Sequence, residues 1–530
     1  MTGPYGATKR RHTGDELVCL RPSVAPAGSG PEIRSPNNFS LSGSVEGELN
    51  LGRAFLAEGR LGEAVQAYRR ALAVKPELAD AHYCLANALW NQGDITGALA
   101  SYRNAIELAP SHAAARSNLA FTLNYDAGAS PSEILSAHRA WAGLFHRSEA
   151  LQQSYANSRK PTRRLKIGYV SGDLREHAVS SFFEPLLTSH DRRAFEIFCY
   201  SSLEAADEDK ISARLRSHSD HWIRIFRRTD ESAAARIRRD RIDILVDLGG
   251  YTTRSRIKIF ALKPAPIQVT WLGYLNTTGL PAMDYRVTDA TIDPVGEADR
   301  FNSERLVRLE TGSFCYRPYD RAPPVAAPPA LEAGHVTFGS FNDLPKLTFD
   351  VVRMWAKVLH AVPRSRLVIK TEQMRDAPTA DMLRLRFASE GIAAERVDLL
   401  PWRVRTEHHL ARYALVDIAL DPFPFNGVTT TCEALWMGVP VVTLRGDRAY
   451  GRVGASLLGA VGLTRFIAEE PDDYVKKSIE LSRSLDRLKI LRSTLRDLMR
   501  GSPLCDGSKF ACAMEHAYHR MWRSWCEAPR

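Results

Sequence analysis

A chain of 530 residues, 44% hydrophobic and 25% charged, is too long for one core at roughly 100–200 residues per domain, and its make-up is that of a soluble protein of about three domains. No apolar run approaches the ~20 residues needed to span a bilayer, and the basic N-terminus has no continuous apolar stretch behind it, so a membrane or exported protein is not expected. The net charge of +10 comes mostly from arginines spread along the whole chain, without a basic patch interleaved with aromatics, which argues against nucleic acid as a partner.

Residues 1–44 are rich in Pro, Gly, Ser and Asn and are expected to form a flexible leader, with the KRRH of residues 9–12 as a solvated charge run. From Val45 the chain repeats with a period of 34: Leu51, Gly59, Ala64, Tyr68, Ala71 and Pro76 return as Leu85, Gly93, Ala98, Tyr102, Ala105 and Pro110. A third copy starts at Ala113 and fades near Asp126. This is the tetratricopeptide spacing, two antiparallel helices per repeat with small residues where they cross, expected over 45–125. Such an array either offers a concave surface to peptides or merely supports the domain that follows. A helical connector is expected over 126–160, with its helix at 131–148.

Beyond Lys160 short apolar runs alternate with helix-length segments. Strands are expected at 165–171, 195–201, 243–248, 267–273 and 284–289 in a first half, 161–320. A Pro/Ala-rich linker, 321–334, leads to a second half, 335–500, with strands at 335–341, 366–370, 396–401, 415–420 and 440–444, and then a C-terminal helix in 501–530. The alternation predicts two Rossmann-like α/β halves with a ligand cleft between the carboxyl ends of their strands. No GxGxxG is present, which disfavours a dinucleotide oxidoreductase.

Within the second half, residues 416–440 predict a strand, a turn punctuated by Pro422, Pro424 and Gly427, three threonines, and a helix opening on Glu433. A helix start in such a turn presents unpaired amides and the positive end of the helix dipole, a seat for phosphate; an ordinary threonine-capped loop is the plainer alternative. Eight cysteines, at 19, 84, 199, 315, 432, 505, 512 and 526, form no CxxC pair and have no histidine at zinc spacing, so a reduced, cytoplasmic protein without structural metal is expected. Asp207 and Asp209 superficially suggest a metal-binding pair, but within SLEAADEDK they read as charges at a helix start.

The repeats are followed, in order, by KIGYVSGDLREHAVSSF, DILVDLGGYTTRSRIKIFALKPAPIQVTWLGY, FGSFNDLPKLT and NGVTTTCEALWMGVPVVTL, then by SPLCDGSKFA and AMEHAYHRMWRSW. Over roughly residues 45–525 the chain closely resembles the O-linked N-acetylglucosamine transferase and SPINDLY family. The resemblance implies an α/β GT-B fold after an all-α repeat segment, and inverting, metal-free transfer of a sugar from a nucleotide donor to Ser or Thr of acceptor proteins. No cofactor is implied beyond the UDP- or GDP-sugar.

Residue by residue, the resemblance places Lys346 at the donor diphosphate with Asp343 beside it, and makes Thr429 and Thr430 phosphate ligands and Glu433 a ribose acceptor. It sets His409 and Arg412 along the nucleotide base, brings the backbone of Leu272 and Gly273 to the sugar, and makes His177 the active-site histidine, in a role left open between orienting and receiving the acceptor proton. A metal-free enzyme needs such preorganised cations and N–H donors because negative charge builds on the departing diphosphate. The chain departs from the animal enzyme at Val428, in place of a His, and at Thr406, in place of a ribose-contacting Lys; its Thr429-Thr430-Thr431 run is nearer the SPINDLY form, which can use GDP-fucose. Residues 275–279 lack the usual Pro-Gly after WLGY. A catalytically silent scaffold that binds partners through its repeats is the alternative from another class.

Overall fold

A computed structural model describes residues 44–145, 150, 154–401 and 406–529, without the side chains of Thr406 and Glu407. The expected leader up to residue 43, the KRRH run, Cys19, the end of the 131–148 helix and the Thr406 side chain lie outside the described residues.

The 34-residue period becomes helix pairs: α1 (Val45–Ala57) with α2 (Leu61–Val74), and α3 (Ala79–Asn91) with α4 (Ile95–Leu108). Gly59 and Gly93 turn each pair at φ +75° and +74°, in the left-handed region that glycine enters without a Cβ penalty. Ala64 and Ala98, Tyr68 and Tyr102, and Ala71 and Ala105 are all fully buried where the helices cross. Leu85 is buried, whereas its counterpart Leu51 is 37% exposed. In the third copy α5 (Ala113–Thr122) packs on α6 (Pro131–Ala142), so the connector helix that the periodicity left outside the array completes its last pair. Ser130 caps α6, its Oγ accepting from the Glu133 amide at 3.1 Å.

Two all-parallel sheets follow. The first has seven strands in the order β3-β2-β1-β4-β5-β6-β7: β1 (Leu165–Ser171), β2 (Phe195–Ser201), β3 (His221–Arg224), β4 (Ile244–Asp247), β5 (Ile267–Thr270), β6 (Tyr285–Thr288) and β7 (Arg305–Arg308). The second has six in the order β10-β9-β8-β11-β12-β13: β8 (Thr337–Ser340), β9 (Arg366–Lys370), β10 (Val397–Leu400), β11 (Ile418–Leu420), β12 (Val441–Leu444) and β13 (Ile467–Ala468). In each sheet the strand order reverses once, between β1 and β4 and between β8 and β11, and the loops leaving those strands at their carboxyl ends open on a crevice.

Three strands escape the sequence pattern: β3, β7 and β13. Each is a sheet edge, and β3 and β7 are half-solvated, so none carries the continuous apolar run that marks a strand buried on both faces. The strand expected at 267–273 stops at Thr270 because Leu272 sits at φ +79°, which no strand accommodates. The strand expected at 415–420 starts at Ile418, after a 3-10 turn over Arg412–Leu415. The C-terminal helix Gly507–Glu527 crosses back to the first half: His190 Nδ1 lies 2.9 Å from Glu515 Oε1, and Trp522 Nε1 donates to Lys160 O at 3.1 Å. Among the described residues no helix is long and apolar enough to cross a membrane.

The repeats are wedged against both halves. On the first, Tyr274 Oη accepts from Asn124 Nδ2 at 3.0 Å and lies 2.5 Å from His138 Nε2, while His138 Nδ1 is 2.6 Å from Ile134 O. A carbonyl only accepts, so Nδ1 carries the proton and Nε2 accepts from the tyrosine. On the second half, the Gly62 amide donates to Asp376 Oδ2 at 3.3 Å and an Arg386 Nη donates to Gly93 O at 3.3 Å.

Tyr274→Phe removes both buried partnerships and is expected to cost about 1–3 kcal/mol in chemical denaturation; an unchanged midpoint would contradict the interface described. Burial also holds the His138 pKa down to about 4 from 6.5. Between those values the unfolded chain takes up a proton that the folded chain refuses, so this site's contribution is full above pH 6.5 and is lost as pH falls towards 4.

Candidate active site

The loop after β11 is built around an absent side chain. A Cβ on Gly427 would lie 2.5 Å from Thr430 Oγ1, 2.8 Å from Thr431 Oγ1 and 3.1 Å from Asn342 Oδ1, so only glycine lets these three polar atoms converge. The Gly427 amide donates to Asp421 Oδ1 at 2.7 Å, and Thr443 Oγ1 donates to Asp421 Oδ2 at 2.7 Å. Burial raises the Asp421 pKa to about 7, against the pull of these donors and of the nearby Lys346 charge.

The helix here spans Thr429–Trp436 and begins at Thr429, not at Glu433 as the residue pattern predicts. A threonine run reads as a turn because its hydroxyls compete for backbone groups. Here they find other partners: Thr431 Oγ1 donates to Gly427 O at 3.1 Å and Thr430 Oγ1 to Asn342 Oδ1 at 3.0 Å. The first closing bond is Cys432 N–H to Val428 O, 3.1 Å, so the amides of Thr429, Thr430 and Thr431 have no acceptor within the helix and stand at the positive end of its dipole. Glu433 consequently belongs to the second turn and is no first-turn dipole cap.

Lys346 closes a short 3-10 turn, Leu344–Lys346, just beyond β8. Its Nζ donates to Asn426 O at 2.9 Å and to Asn342 Oδ1 at 3.2 Å, and it lies 4.7 Å from the centre of the Phe425 ring. Phe425 is stacked between Tyr125 of the repeats, at 4.3 Å, and Tyr450, at 3.9 Å. The ammonium is thus aimed by two oxygens and a clamped ring.

His409 is buried, with Nδ1 2.6 Å from Lys370 Nζ and Nε2 2.8 Å from Glu433 Oε2. Both ring nitrogens are engaged inside the protein, so a ligand beside His409 meets an ordered ring and not a waiting hydrogen-bond partner. Arg412 opens the 3-10 turn that follows the helix Thr406–Ala411 and is half-buried, whereas His408 is exposed. Desolvation lowers the Lys370 pKa to about 8; the Glu433 charge opposes that shift and the Arg412 charge adds to it. Tyr413 Oη lies 3.1 Å from Thr430 O and 3.4 Å from Glu433 Oε2, linking this group to the threonine turn.

From the first half come the loops after β1, β4 and β5. His177 caps the helix Ala178–Ser189, its Nδ1 accepting from the Val179 amide at 3.2 Å. The neutral ring therefore carries its proton on Nε2, which lies 3.9 Å from Asp173 Oδ1. Leu272 holds φ +79°, and a Cβ on Gly273 would lie 2.0 Å from Leu248 O, so this backbone presses tightly against the end of β4. Asp209, instead of joining a metal pair, caps the helix Lys210–Ser217, while Asp207 pairs with Arg254 at 3.1 Å. Among the described residues no group of three or more His, Cys, Asp or Glu is placed to hold a metal ion.

A cleft of about 460 Å³ between the halves brings together His177, Leu272, Gly273, Asp343, Lys346 and Thr429, and Trp90, Phe121 and Tyr125 of the repeats form part of its wall. A second cavity of about 570 Å³, on the other side of His177, reaches Tyr319 and Leu410. His409, Glu433 and Thr430 line neither. Sequence reasoning passed over Asn342, Lys370, Tyr413 and Phe425. Lys370 had a legible signal, a charge ending a buried apolar strand at the carboxyl edge of a parallel sheet.

A family model described as glycosyl transferase family 41 matches residues 143–316 and 329–514, and tetratricopeptide-repeat models match 52–93 and 79–112. The chain is 41% identical over 428 residues to a Solanum lycopersicum protein named probable UDP-N-acetylglucosamine--peptide N-acetylglucosaminyltransferase SPINDLY, covering 80% of this chain and 45% of that one. The Arabidopsis thaliana protein of the same name is 42% identical over 416 residues, covering 77% and 45%. The chain thus spans about half the length of these curated relatives. A solved structure of a Thermobaculum terrenum O-GlcNAc transferase mutant superposes with a TM-score of 0.85 at 38% identity, covering 91% of each chain.

Gly427→Ala pushes Thr430 and Asn342 apart, so it is expected to abolish the thermal stabilisation given by nucleoside diphosphates while leaving the unliganded protein folded. At a hundredfold excess over Kd that stabilisation is about 2.7 kcal/mol, and a shift equal to that of the wild type would contradict the geometry.

Proposed function

This chain belongs to glycosyl transferase family 41, and from that premise we propose that it is an inverting, metal-independent protein O-glycosyltransferase, moving N-acetylglucosamine from UDP-N-acetylglucosamine to Ser or Thr hydroxyls of proteins. One observation carries the reading: the Lys346 ammonium and the amide-presenting start of the helix Thr429–Trp436 converge through a shared bond partner, Asn342. Breaking the bond between sugar and diphosphate leaves negative charge on the diphosphate, and donors already held in place stabilise it without reorganising. Lys346 supplies the cation that a metal would otherwise supply. The names of the relatives support the sugar and the protein acceptor.

In inverting transfer the hydroxyl attacks opposite the departing diphosphate, so the acceptor enters on the face bounded by His177 and the repeats. There Trp90, Phe121 and Tyr125 support a role for the array in presenting acceptor proteins. With its Nδ1 tied to the Val179 amide, His177 offers Nε2–H and orients an oxygen by donating to it. To take the acceptor proton the ring would have to leave its cap, at a cost of about 1 kcal/mol. GDP-fucose is the alternative donor, favoured by the SPINDLY-like Thr429-Thr430-Thr431 run behind Val428. A cytoplasmic location belongs to the proposal and is supported by the free thiols of all seven described cysteines.

Transfer of labelled sugar from each donor to a mixture of acceptor proteins tests the reading. Lys346→Ala is expected to lower the rate at least a hundredfold with an unchanged melting temperature, and near-normal turnover would refute the assigned role. Activity is expected to survive EDTA, and its loss would overturn metal independence. Wild-type protein that transfers neither sugar would favour the silent scaffold.

A further inference from the structure

We infer that Lys370 is a positioning residue for the nucleotide-sugar donor: its ammonium fixes the tautomer of the His409 ring and, through that ring, holds the Glu433 carboxylate in place beside the phosphate-binding turn. This inference rests on the donor reading above.

Lys370 ends β9 at the carboxyl edge of the second sheet and has no exposed surface. An ammonium taken out of water costs several kcal/mol unless it is paired, so its partners reveal what it is there to do. Among the described residues, the groups facing it include His409 and Arg412 from the segment before β11, Glu433 from the helix Thr429–Trp436, and the ring face of Phe341 at 5.4 Å. It donates a hydrogen bond to His409 Nδ1, 2.6 Å away.

An ammonium has donors only, so Nδ1 must accept, the imidazole proton must sit on Nε2, and Nε2–H must point at Glu433 Oε2, 2.8 Å away. Tyr413 Oη lies within reach of the same carboxylate and of Thr430 O. The chain Lys370, His409, Glu433, Tyr413, Thr430 therefore runs from a strand end to the turn that offers its amides to phosphate. A ring with its proton on Nδ1 would face the ammonium with a second donor and leave Glu433 opposite a bare nitrogen. Lys370 touches no part of the cleft, so it acts through the ring and not on the ligand.

Calorimetric titration of UDP and of GDP into the wild type, Lys370→Met and Lys370→Arg tests this, with KM for the donor and kcat measured alongside. Lys370→Met is expected to raise Kd and donor KM at least tenfold while kcat at saturating donor changes less than threefold, and Lys370→Arg, which keeps charge and donors, is expected to restore affinity in part. Lys370→Met protein that binds with wild-type affinity overturns the inference. Wild-type protein that binds neither nucleotide overturns the donor reading and the inference with it.

Nitrogen NMR of ¹⁵N-histidine-labelled wild type, with the signal assigned by a His409→Gln variant, reads the tautomer independently of any folding defect in the Lys370 variants. The expected spectrum has a bare Nδ1 and a protonated Nε2. A protonated Nδ1 in the wild type overturns the inference.

Discussion

Asn342 Oδ1 accepts from Lys346 Nζ at 3.2 Å and from Thr430 Oγ1 at 3.0 Å, and this shared oxygen ties the loop after β8 to the helix start after β11. Much of the second half's site is arranged around it. Gly427 has to lack a side chain for the threonines to reach it, and Asp421 has to be buried to hold the Gly427 amide. The lysine cannot swing into solvent without giving up the Asn342 and Asn426 oxygens and the Phe425 ring face together. Donors fixed in this way are what a developing negative charge requires, because no reorganisation is left to oppose the transition state.

The same logic extends outward through aromatic rings. Trp90 packs edge-on against Tyr125 at 5.7 Å, Tyr125 stacks on Phe425, Phe425 on Tyr450, and Tyr450 Oη accepts from the Leu275 amide at 3.1 Å. This column joins the repeats and both sheets at the point where Lys346 sits. Each such aromatic pair contributes about 0.5–1.5 kcal/mol beyond its buried area, so the relative placement of the three units is held by several modest contacts centred on the cleft. The repeats are therefore a structural wall of the cleft as well as an appended surface.

Most of the fold was legible in the sequence because its signals are local. The 34-residue period reports helix crossings at Ala64 and Ala98, and buried parallel strands read as apolar runs. Edge strands such as β3 and β7 were not legible because one side faces water and their alternation is broken by charge. At the site, His177, Leu272, Gly273, Asp343, Lys346 and Thr429 share one cleft, whereas Thr430, His409, Arg412 and Glu433 do not line it, and the partners of all of them are set by tertiary packing. Nothing local to Lys370 announces that it meets His409, 39 residues later, and nothing local to Tyr125 announces Phe425. The threonine run was misread as a turn because the acceptors that free it to be helical, Asn342 Oδ1 and Gly427 O, include one from another strand's loop.

A crystal structure of the protein soaked with UDP would show whether Lys346 and the threonine turn hold the diphosphate. Diphosphate oxygens are expected within hydrogen-bond distance of Lys346 Nζ and of the Thr429 and Thr430 amides, with the nucleoside extending towards His409 and Glu433. A diphosphate seated elsewhere, with Lys346 keeping its bonds to Asn342 and Asn426, would contradict that role.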